Sequence, residues 1–209
     1  MTSGTSQQTD SQTSDSPFTL ADFVRDVEQV LDQRPSLPIT IKEVGKSLFK
    51  LCSDDSWLPE SHRATKDDCY ARHLLHKDRQ NRFVVLALVW KPGQATPIHD
   101  HSCWGLMGIL QNALEEIAYE RLDDGSRPGF AELRELQGGQ VVKGSTSYLL
   151  PPYQEVHKIG NNTEKDTISI HIYGRDIDEV NVFDLESNEV RPMRIKYFSP
   201  DCGGEDFVI

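Results

Sequence analysis

The segment that decides the fold is Gly93-Gln94-Ala95-Thr96-Pro97-Ile98-His99-Asp100-His101. Side chains two residues apart on an extended chain point to the same side, so His99 and His101 can bind one metal ion together. A surface or hydrogen-bonding pair is the common alternative for an isolated His-x-His. The context favours a metal, because an apolar run at 83–89 leads into the segment and a third histidine, His157, lies on a separate predicted strand. A barrel brings such strands together.

Composition indicates one soluble globular domain. The chain has 209 residues, of which 37% are hydrophobic and 26% charged, which is enough to bury a core. Its formal net charge of -11 argues against nucleic acid and against an anionic membrane surface, because both attract basic patches. We therefore expect neither as a partner, and the sequence holds no signal for the oligomeric state.

The start of the chain and its cysteines indicate a cytoplasmic protein. Residues 1–16 are mostly Ser, Thr, Gln, Gly and Asp, without the basic and apolar regions of a signal peptide, and we predict a disordered tail. Cys52, Cys69, Cys103 and Cys202 have no CxxC spacing, so reduced thiols are favoured over disulfides.

Two amphipathic helices are predicted before the strands. The first starts at Thr19, with Asp22 three residues later, and ends at Arg34-Pro35. A capping box of Thr40 and Glu43 predicts the start of the second. Apolar residues recur at helical spacing in both, so these helices are expected to cover a core rather than carry chemistry.

From Tyr70 onwards the sequence is typical of an all-β protein. Short β-type runs alternate with turn residues, which favours a sandwich or barrel over βαβ units. The predicted strands span residues 70–75, 82–90, 104–110, 114–121, 132–136, 147–150, 167–173 and 193–198. We predict a mostly β fold in one domain over residues 17–209, with a helical cap at about 17–65 and a β-barrel at about 66–200.

The histidine motifs resemble those of the cupin superfamily. Its first motif, Gly-(five residues)-His-x-His, is met by Gly93, His99 and His101, and its second ends in His-(three residues)-Asn, as at His157 and Asn161. The resemblance implies a jelly-roll-like cupin barrel with a metal ion on His99, His101 and His157. Most metal-binding cupins add a glutamate three or four residues after the second histidine. This chain has Trp104 and Gly105 there, so the carboxylate ligand is missing.

Three neutral imidazoles leave a divalent ion with its full charge and with open coordination positions. An open face on Fe(II) suits oxygen activation, and a thiolate would partly neutralise the ion. Three histidines also suit a zinc site, so the donor set alone leaves both metals open.

Among cupins, three-histidine sites are characteristic of thiol dioxygenases, and the resemblance to this family runs from about Tyr70 to Tyr173. Ser169, His171 and Tyr173 share one face of a predicted strand, which from alternation alone can equally be a solvated outer face. In thiol dioxygenases a Ser-x-His-x-Tyr run forms a hydrogen-bonded relay. The resemblance implies that Tyr173 directs a proton or hydrogen bond to substrate or oxygen, that His171 orients Tyr173, and that Ser169 fixes His171.

Tyr70-Ala71-Arg72 is similar to the Tyr-x-Arg of cysteine dioxygenases, in which the arginine holds the substrate carboxylate. A guanidinium suits this role because it stays charged and presents a planar fork. A surface arginine in a salt bridge is the alternative. The resemblance is closest to bacterial arginine-type enzymes, and it implies that Arg72, with Tyr70, binds the substrate.

The identity of the thiol depends on the same arginine. Bacterial relatives that act on 3-mercaptopropionate commonly have glutamine in place of Arg72 and a separate arginine beyond the relay tyrosine. Here Asn181 and Val182 occupy that stretch, and Arg175 is as readily a loop charge. These features favour L-cysteine.

Two departures from the animal cysteine dioxygenases concern the surroundings of Tyr173. The cysteine that couples to the relay tyrosine in those enzymes aligns with Gly105, so no Cys-Tyr crosslink is expected. Their Ser-Pro-Pro loop is replaced by Gly174-Arg175-Asp176.

The sequence thus predicts an Fe(II)-dependent thiol dioxygenase that converts L-cysteine and O2 to cysteine sulfinate. One alternative keeps the chemistry with another small thiol carboxylate, 3-mercaptopropionate or mercaptosuccinate. An alternative from a different class is a non-catalytic metal-binding cupin, for instance one with structural zinc.

Overall fold

The structure is a computed structural model that describes residues 17–152 and 154–198. Two α-helices, α1 (Leu20–Asp32) and α2 (Leu37–Leu51), precede a short 3-10 helix at Glu60–His62 and the strands. The predicted disordered tail and Cys202 lie outside the described residues. The proposed boundary between helical cap and barrel stays a prediction. No helix in the described ranges is long and apolar enough to cross a membrane.

Twelve strands in the described part of the chain form two antiparallel sheets. In chain order they are β1 (Ala71–Lys77), β2 (Val84–Trp90), β3 (Ile98–His99), β4 (Gly105–Gln111), β5 (Ala113–Arg121), β6 (Leu133–Glu135), β7 (Gly139–Val142), β8 (Thr146–Leu149), β9 (Val156–Gly160), β10 (Thr167–Tyr173), β11 (Glu179–Asp184) and β12 (Glu189–Arg194). One sheet has the order β1-β2-β10-β4-β8, and the other has β12-β11-β3-β9-β5-β6, with β7 paired to β5. The predicted mostly β architecture with two N-terminal helices is confirmed.

The two helix starts follow different rules. α1 begins as predicted, with the Thr19 hydroxyl accepting from the Asp22 backbone at 3.2 Å and the Asp22 carboxylate accepting from the Thr19 backbone at 3.0 Å. The predicted capping box of Thr40 is wrong. α2 begins at Leu37, and Pro38 lies in its first turn, where a missing backbone N–H costs nothing. Thr40 is therefore inside the helix.

The last predicted strand is misplaced. Of residues 193–198, only the first two are in a strand. They are the end of β12, which starts at Glu189 and ends at Arg194. Pro192 is compatible with β12 because β12 is an edge strand. The predicted ranges also leave out β3, β7, β9 and β11, although Val180 and Val182 in β11 alternate with polar residues.

β10 separates two apolar clusters. Ile168, Ile170 and Ile172 on one face pack in a cluster with α1 and α2. Tyr173 lies on the other face. It belongs to an apolar cluster that includes Leu88 of β2 and contains residues of both sheets. The interior between the sheets therefore receives the Ser169, His171 and Tyr173 face.

The close contact of α2 with β4 depends on Gly108. A Cβ atom at this position would lie 2.8 Å from Cys52 Sγ and 3.1 Å from Leu48 Cγ. We expect Gly108→Val to lower the free energy of unfolding by about 1–3 kcal/mol, because overpacking forces the helix away from the sheet. Urea denaturation measures the effect.

Gly139→Val is the matched control, since a Cβ at Gly139 meets no atom within 4 Å. Equal stability of the Gly108 and Gly139 variants would contradict this account of helix packing.

Candidate metal centre

His99, His101 and His157 come together in the interior. β3 pairs with β9 at the single register position His99↔His157, and His101 follows two residues later. The nearest possible ligand atoms of the three side chains all lie within 4.8 Å of one another. All three residues are buried, with at most 9% exposure. This arrangement fits a metal site.

The hydrogen bonds of the imidazoles support the same assignment. His99 Nδ1 lies 3.0 Å from the Pro97 carbonyl oxygen, and His157 Nδ1 lies 2.7 Å from Glu116 Oε1. Each acceptor fixes the proton on Nδ1 and leaves Nε2 as the electron-pair donor. Among the described residues, His157 Nε2 and His101 Nδ1 are buried without a hydrogen-bond partner. A metal ion would satisfy such nitrogens.

The loop between the first two histidines is held from both sides. The Asp100 carboxylate accepts from the backbone N–H of Asn181 at 2.9 Å and from its Nδ2 at 2.8 Å. On the other side, the backbone N–H of Ser102 donates to Glu155 at 3.0 Å. Asp100 therefore holds the loop against β11. Nothing in the sequence indicates this contact.

Burial keeps His99, His101 and His171 neutral. Burial and then the neighbouring His157 lower the pKa of His99 to about 3. Burial also lowers the pKa of His101 and of His171 well below the ordinary value. Neutral imidazoles keep a free electron pair, so protons do not compete with a metal ion at neutral pH.

Ser169, His171 and Tyr173 form a connected chain of hydrogen bonds. All three side chains are buried, which rules out the alternative of a solvated outer face. Ser169 Oγ lies 2.8 Å from His171 Nε2, and His171 Nδ1 lies 3.0 Å from Tyr173 Oη. The Tyr173 ring stacks on His101 with centroids 5.1 Å apart. The chain therefore ends beside a candidate metal ligand.

Trp90 adds a fourth member that sequence reasoning missed. Its Nε1 donates to Ser169 Oγ at 2.9 Å, and an indole nitrogen can only donate. Ser169 Oγ therefore accepts from Trp90, and when its hydroxyl donates to His171 Nε2, the His171 proton lies on Nδ1, directed at Tyr173 Oη. The Tyr173 hydroxyl hydrogen remains available to the cavity. A tryptophan at the end of an apolar strand offers no sequence signal for this role.

Arg72 and Tyr70 reach the same cavity from β1 and the residue before it. Arg72 is only 6% exposed, and its Nη1 has no hydrogen-bond partner in the described part of the chain, which argues against a surface salt bridge. Its guanidinium lies over the Tyr197 ring, 5.6 Å from the centroid. The Tyr70 ring stacks on Trp90 at 4.0 Å, and burial raises the pKa of Tyr70 to about 12.

The cavity contains most of the predicted site residues. Its described lining is Tyr70, Arg72, Leu88, Trp90, Thr96, Pro97, His99, His101, Ile159, His171, Tyr173, Ile177, Val180, Met193 and Ile195. Ser169 and His157 are not part of this lining: Ser169 hydrogen-bonds to His171, and His157 has a ligand atom within 4.8 Å of those of His99 and His101. Arg175 is exposed, and the remaining histidines, His62, His73 and His76, do not line the cavity. The walls are therefore mostly apolar, around a few polar groups.

Gly105 faces the ring of Tyr173. A Cβ atom there would lie 2.9 Å from Tyr173 Cδ1. This is the position at which the alignment with animal enzymes places a cysteine, and the nearby Cys103 carries a half-buried free thiol. The absence of a Cys-Tyr crosslink stays a prediction.

Comparison with known proteins identifies the family. The sequence matches the cysteine dioxygenase type I family over residues 7–186. The chain belongs to this family. Cysteine dioxygenase type 1 from Danio rerio is 22% identical over 187 residues, which is 78% of this chain and 88% of the relative. Membership supports a thiol dioxygenase activity.

Solved structures with related folds are cupins. A Cupin 2 conserved barrel domain protein from Salinispora arenicola matches with a TM-score of 0.40 and 17% identity, covering 56% of this chain and 85% of that chain. An RmlC-like cupin from Methanocaldococcus jannaschii matches with a TM-score of 0.38 and 11% identity, covering 54% of this chain and 85% of that chain. The mostly β architecture itself is shown by the two sheets, as predicted.

The buried histidines predict how stability depends on pH. We expect the free energy of unfolding of the chelator-treated protein to fall as the pH is lowered from about 6.5 to about 5. Unfolded histidines bind protons in this range, whereas the pKa values of His99, His101 and His171 are lowered in the folded chain. The unfolded state then binds more protons, so stability rises with pH.

Urea denaturation at several pH values measures this slope. His171→Gln removes one of the groups and should make the slope shallower. A flat profile between these pH values would contradict the burial of neutral imidazoles.

Proposed function

We propose that the protein is an Fe(II)-dependent thiol dioxygenase that converts L-cysteine and O2 to cysteine sulfinate. The observation that carries the proposal is the convergence of three groups at one site: the histidine triad, of which His99 and His101 line the cavity, the buried Arg72 and the relay that ends at Tyr173. Family membership supports the reaction class. The substrate and the metal are inferred from the chemistry of the cavity.

The triad suits an anionic sulfur ligand. Fe(II) bound to His99, His101 and His157 would supply the redox chemistry that lets a thiol react with dioxygen. The three imidazoles contribute no negative charge of their own. A site of this kind favours a thiolate over a neutral ligand, because the thiolate partly balances the charge of the ion.

Arg72 is placed to bind the substrate carboxylate. Its buried Nη1 lacks a partner among the described residues, and leaving a buried charged donor unpaired is costly. A carboxylate would provide charge-assisted hydrogen bonds worth about 1.5–3 kcal/mol each. The surrounding apolar walls exclude water, which strengthens these bonds.

The relay supplies a hydrogen bond without consuming a proton. A thiolate and dioxygen combine to a sulfinate with no net uptake of protons. Burial raises the pKa of the Tyr173 hydroxyl, so this hydroxyl stays protonated. We infer that Tyr173 donates a hydrogen bond to oxygen on the substrate. His171 and Ser169 keep the Tyr173 hydroxyl oriented towards it.

The charges of the cavity favour a substrate with one carboxylate. Arg72 is the only charged side chain among the described residues that line it, since the histidines are neutral. The second carboxylate of mercaptosuccinate would find no cation there. Enzymes that act on 3-mercaptopropionate commonly carry an arginine beyond the relay tyrosine, and in that stretch this chain has the neutral Asn181, which is engaged with Asp100. Cysteine remains the favoured thiol.

Oxygen consumption tests the proposal directly. Protein loaded anaerobically with Fe(II) is mixed with L-cysteine, 3-mercaptopropionate or mercaptosuccinate in an oxygen electrode, and the sulfinate is measured by mass spectrometry. We expect the highest kcat/KM with L-cysteine and one O2 consumed per sulfinate. Protein that binds one equivalent of iron but shows no thiol-dependent oxygen uptake would contradict the proposal. Stoichiometric zinc without iron in protein purified without added metal would favour the non-catalytic cupin.

Arg72→Gln tests the carboxylate site. We expect kcat/KM for L-cysteine to fall by about 10- to 100-fold, the equivalent of one lost charge-assisted hydrogen bond. The iron content should not change. Arg175→Gln, which changes an exposed arginine near the cavity, should leave both quantities as they are. Iron content that falls as far as activity in Arg72→Gln would show that Arg72 supports the metal centre instead.

A further inference from the structure

Glu116 is a carboxylate beside the metal centre that the cupin motifs do not contain. It lies on β5, which is paired with β9. Its Oε1 accepts a hydrogen bond from His157 Nδ1 at 2.7 Å, and the two side chains are only 16% and 5% exposed. Ser147 also hydrogen-bonds to this carboxylate. Glu116 is therefore fixed in place, on the side of His157 that faces away from its free Nε2.

The three imidazoles differ in what they meet on their other side. His99 donates to a neutral carbonyl oxygen, that of Pro97. His101 has no hydrogen bond to a carboxylate among the described residues, and its unpartnered Nδ1 is the nitrogen left for a metal ion. His157 alone of the three donates to a carboxylate. A carboxylate acceptor makes an imidazole a stronger electron donor and shares negative charge with it, which a carbonyl does far less.

We propose that Glu116 is a positioning residue that supplies, through His157, the negative charge missing from the ligand set. In most metal-binding cupins that charge comes from a glutamate ligand, at the position where this chain has Trp104 and Gly105. The inference rests on the proposed metal centre. Because Glu116 acts from behind a ligand, it balances charge without taking a coordination position. Those positions stay open for substrate and oxygen.

Glu116→Gln separates charge from orientation. The amide oxygen of glutamine can still accept from His157 Nδ1, so the ring keeps its direction, but the negative charge is gone. Glu116→Ala removes both. Glu115→Gln is the matched control, because it makes the same change one residue away, where the carboxylate contacts Asn162 rather than a histidine.

Binding of Co(II) to the chelator-treated protein is the measurement, with no thiol present. Competition with a chelator gives the affinity, and the visible absorption of Co(II) reports the ligand field. We expect Glu116→Gln to weaken Co(II) binding by about 10- to 100-fold and to shift the absorption bands. Glu115→Gln should match the unmodified protein in both. Far-UV circular dichroism without metal verifies folding.

Two outcomes overturn the inference. If Glu116→Gln keeps the affinity and spectrum of the unmodified protein, the charge of Glu116 has no role at the metal. If only Glu116→Ala is impaired, Glu116 orients His157 and supplies no charge. Should Glu116→Gln fail to fold, Glu116→Asp is compared with Glu116→Asn: both side chains are equally short and differ in charge, so Co(II) should bind the Asn variant more weakly, and equal affinity would overturn the inference. Normal Co(II) binding without thiol oxidation by the unmodified protein would refute the proposed function alone.

Discussion

The candidate metal centre depends on one backbone pairing, that of β3 with β9. This pairing sets His99 opposite His157, and a shift of one residue would turn one of the two side chains to the other face of the sheet. Asp100 secures β3 from the opposite side through Asn181 of β11. His101 can then follow His99 into the same cavity. Ligands from two distant parts of the sequence, the His-x-His segment and β9, converge because β3 lies between β9 and β11.

The chemistry of the cavity follows from its scarcity of charge. Because the histidines are neutral and the wall is apolar, the buried arginine is one of few groups that can interact with an anionic substrate. Each of these few groups interacts strongly, because the site excludes water. The relay has a fixed donor at one end, because Trp90 can only donate to Ser169. Glu116 places its charge behind His157.

The sequence predicted the elements that local patterns determine. The His-x-His segment, the alternation in β10 and the capping box of α1 each act over a few residues, and the structure has them where expected. The capping box predicted at Thr40 is wrong because a proline in the first turn allows α2 to start earlier. Trp90 and Glu116 were missed for another reason. Their partners, Ser169 and His157, lie on other strands, so the contacts exist only in the folded sheets.

The central claim is that this cavity adds dioxygen to the sulfur of L-cysteine. The most direct test supplies isotopically labelled O2 to the Fe(II)-loaded protein with L-cysteine and determines the mass of the product. The account predicts cysteine sulfinate in which both sulfinate oxygen atoms carry the label. A product with one labelled oxygen or none, or disulfide as the only product, would contradict it.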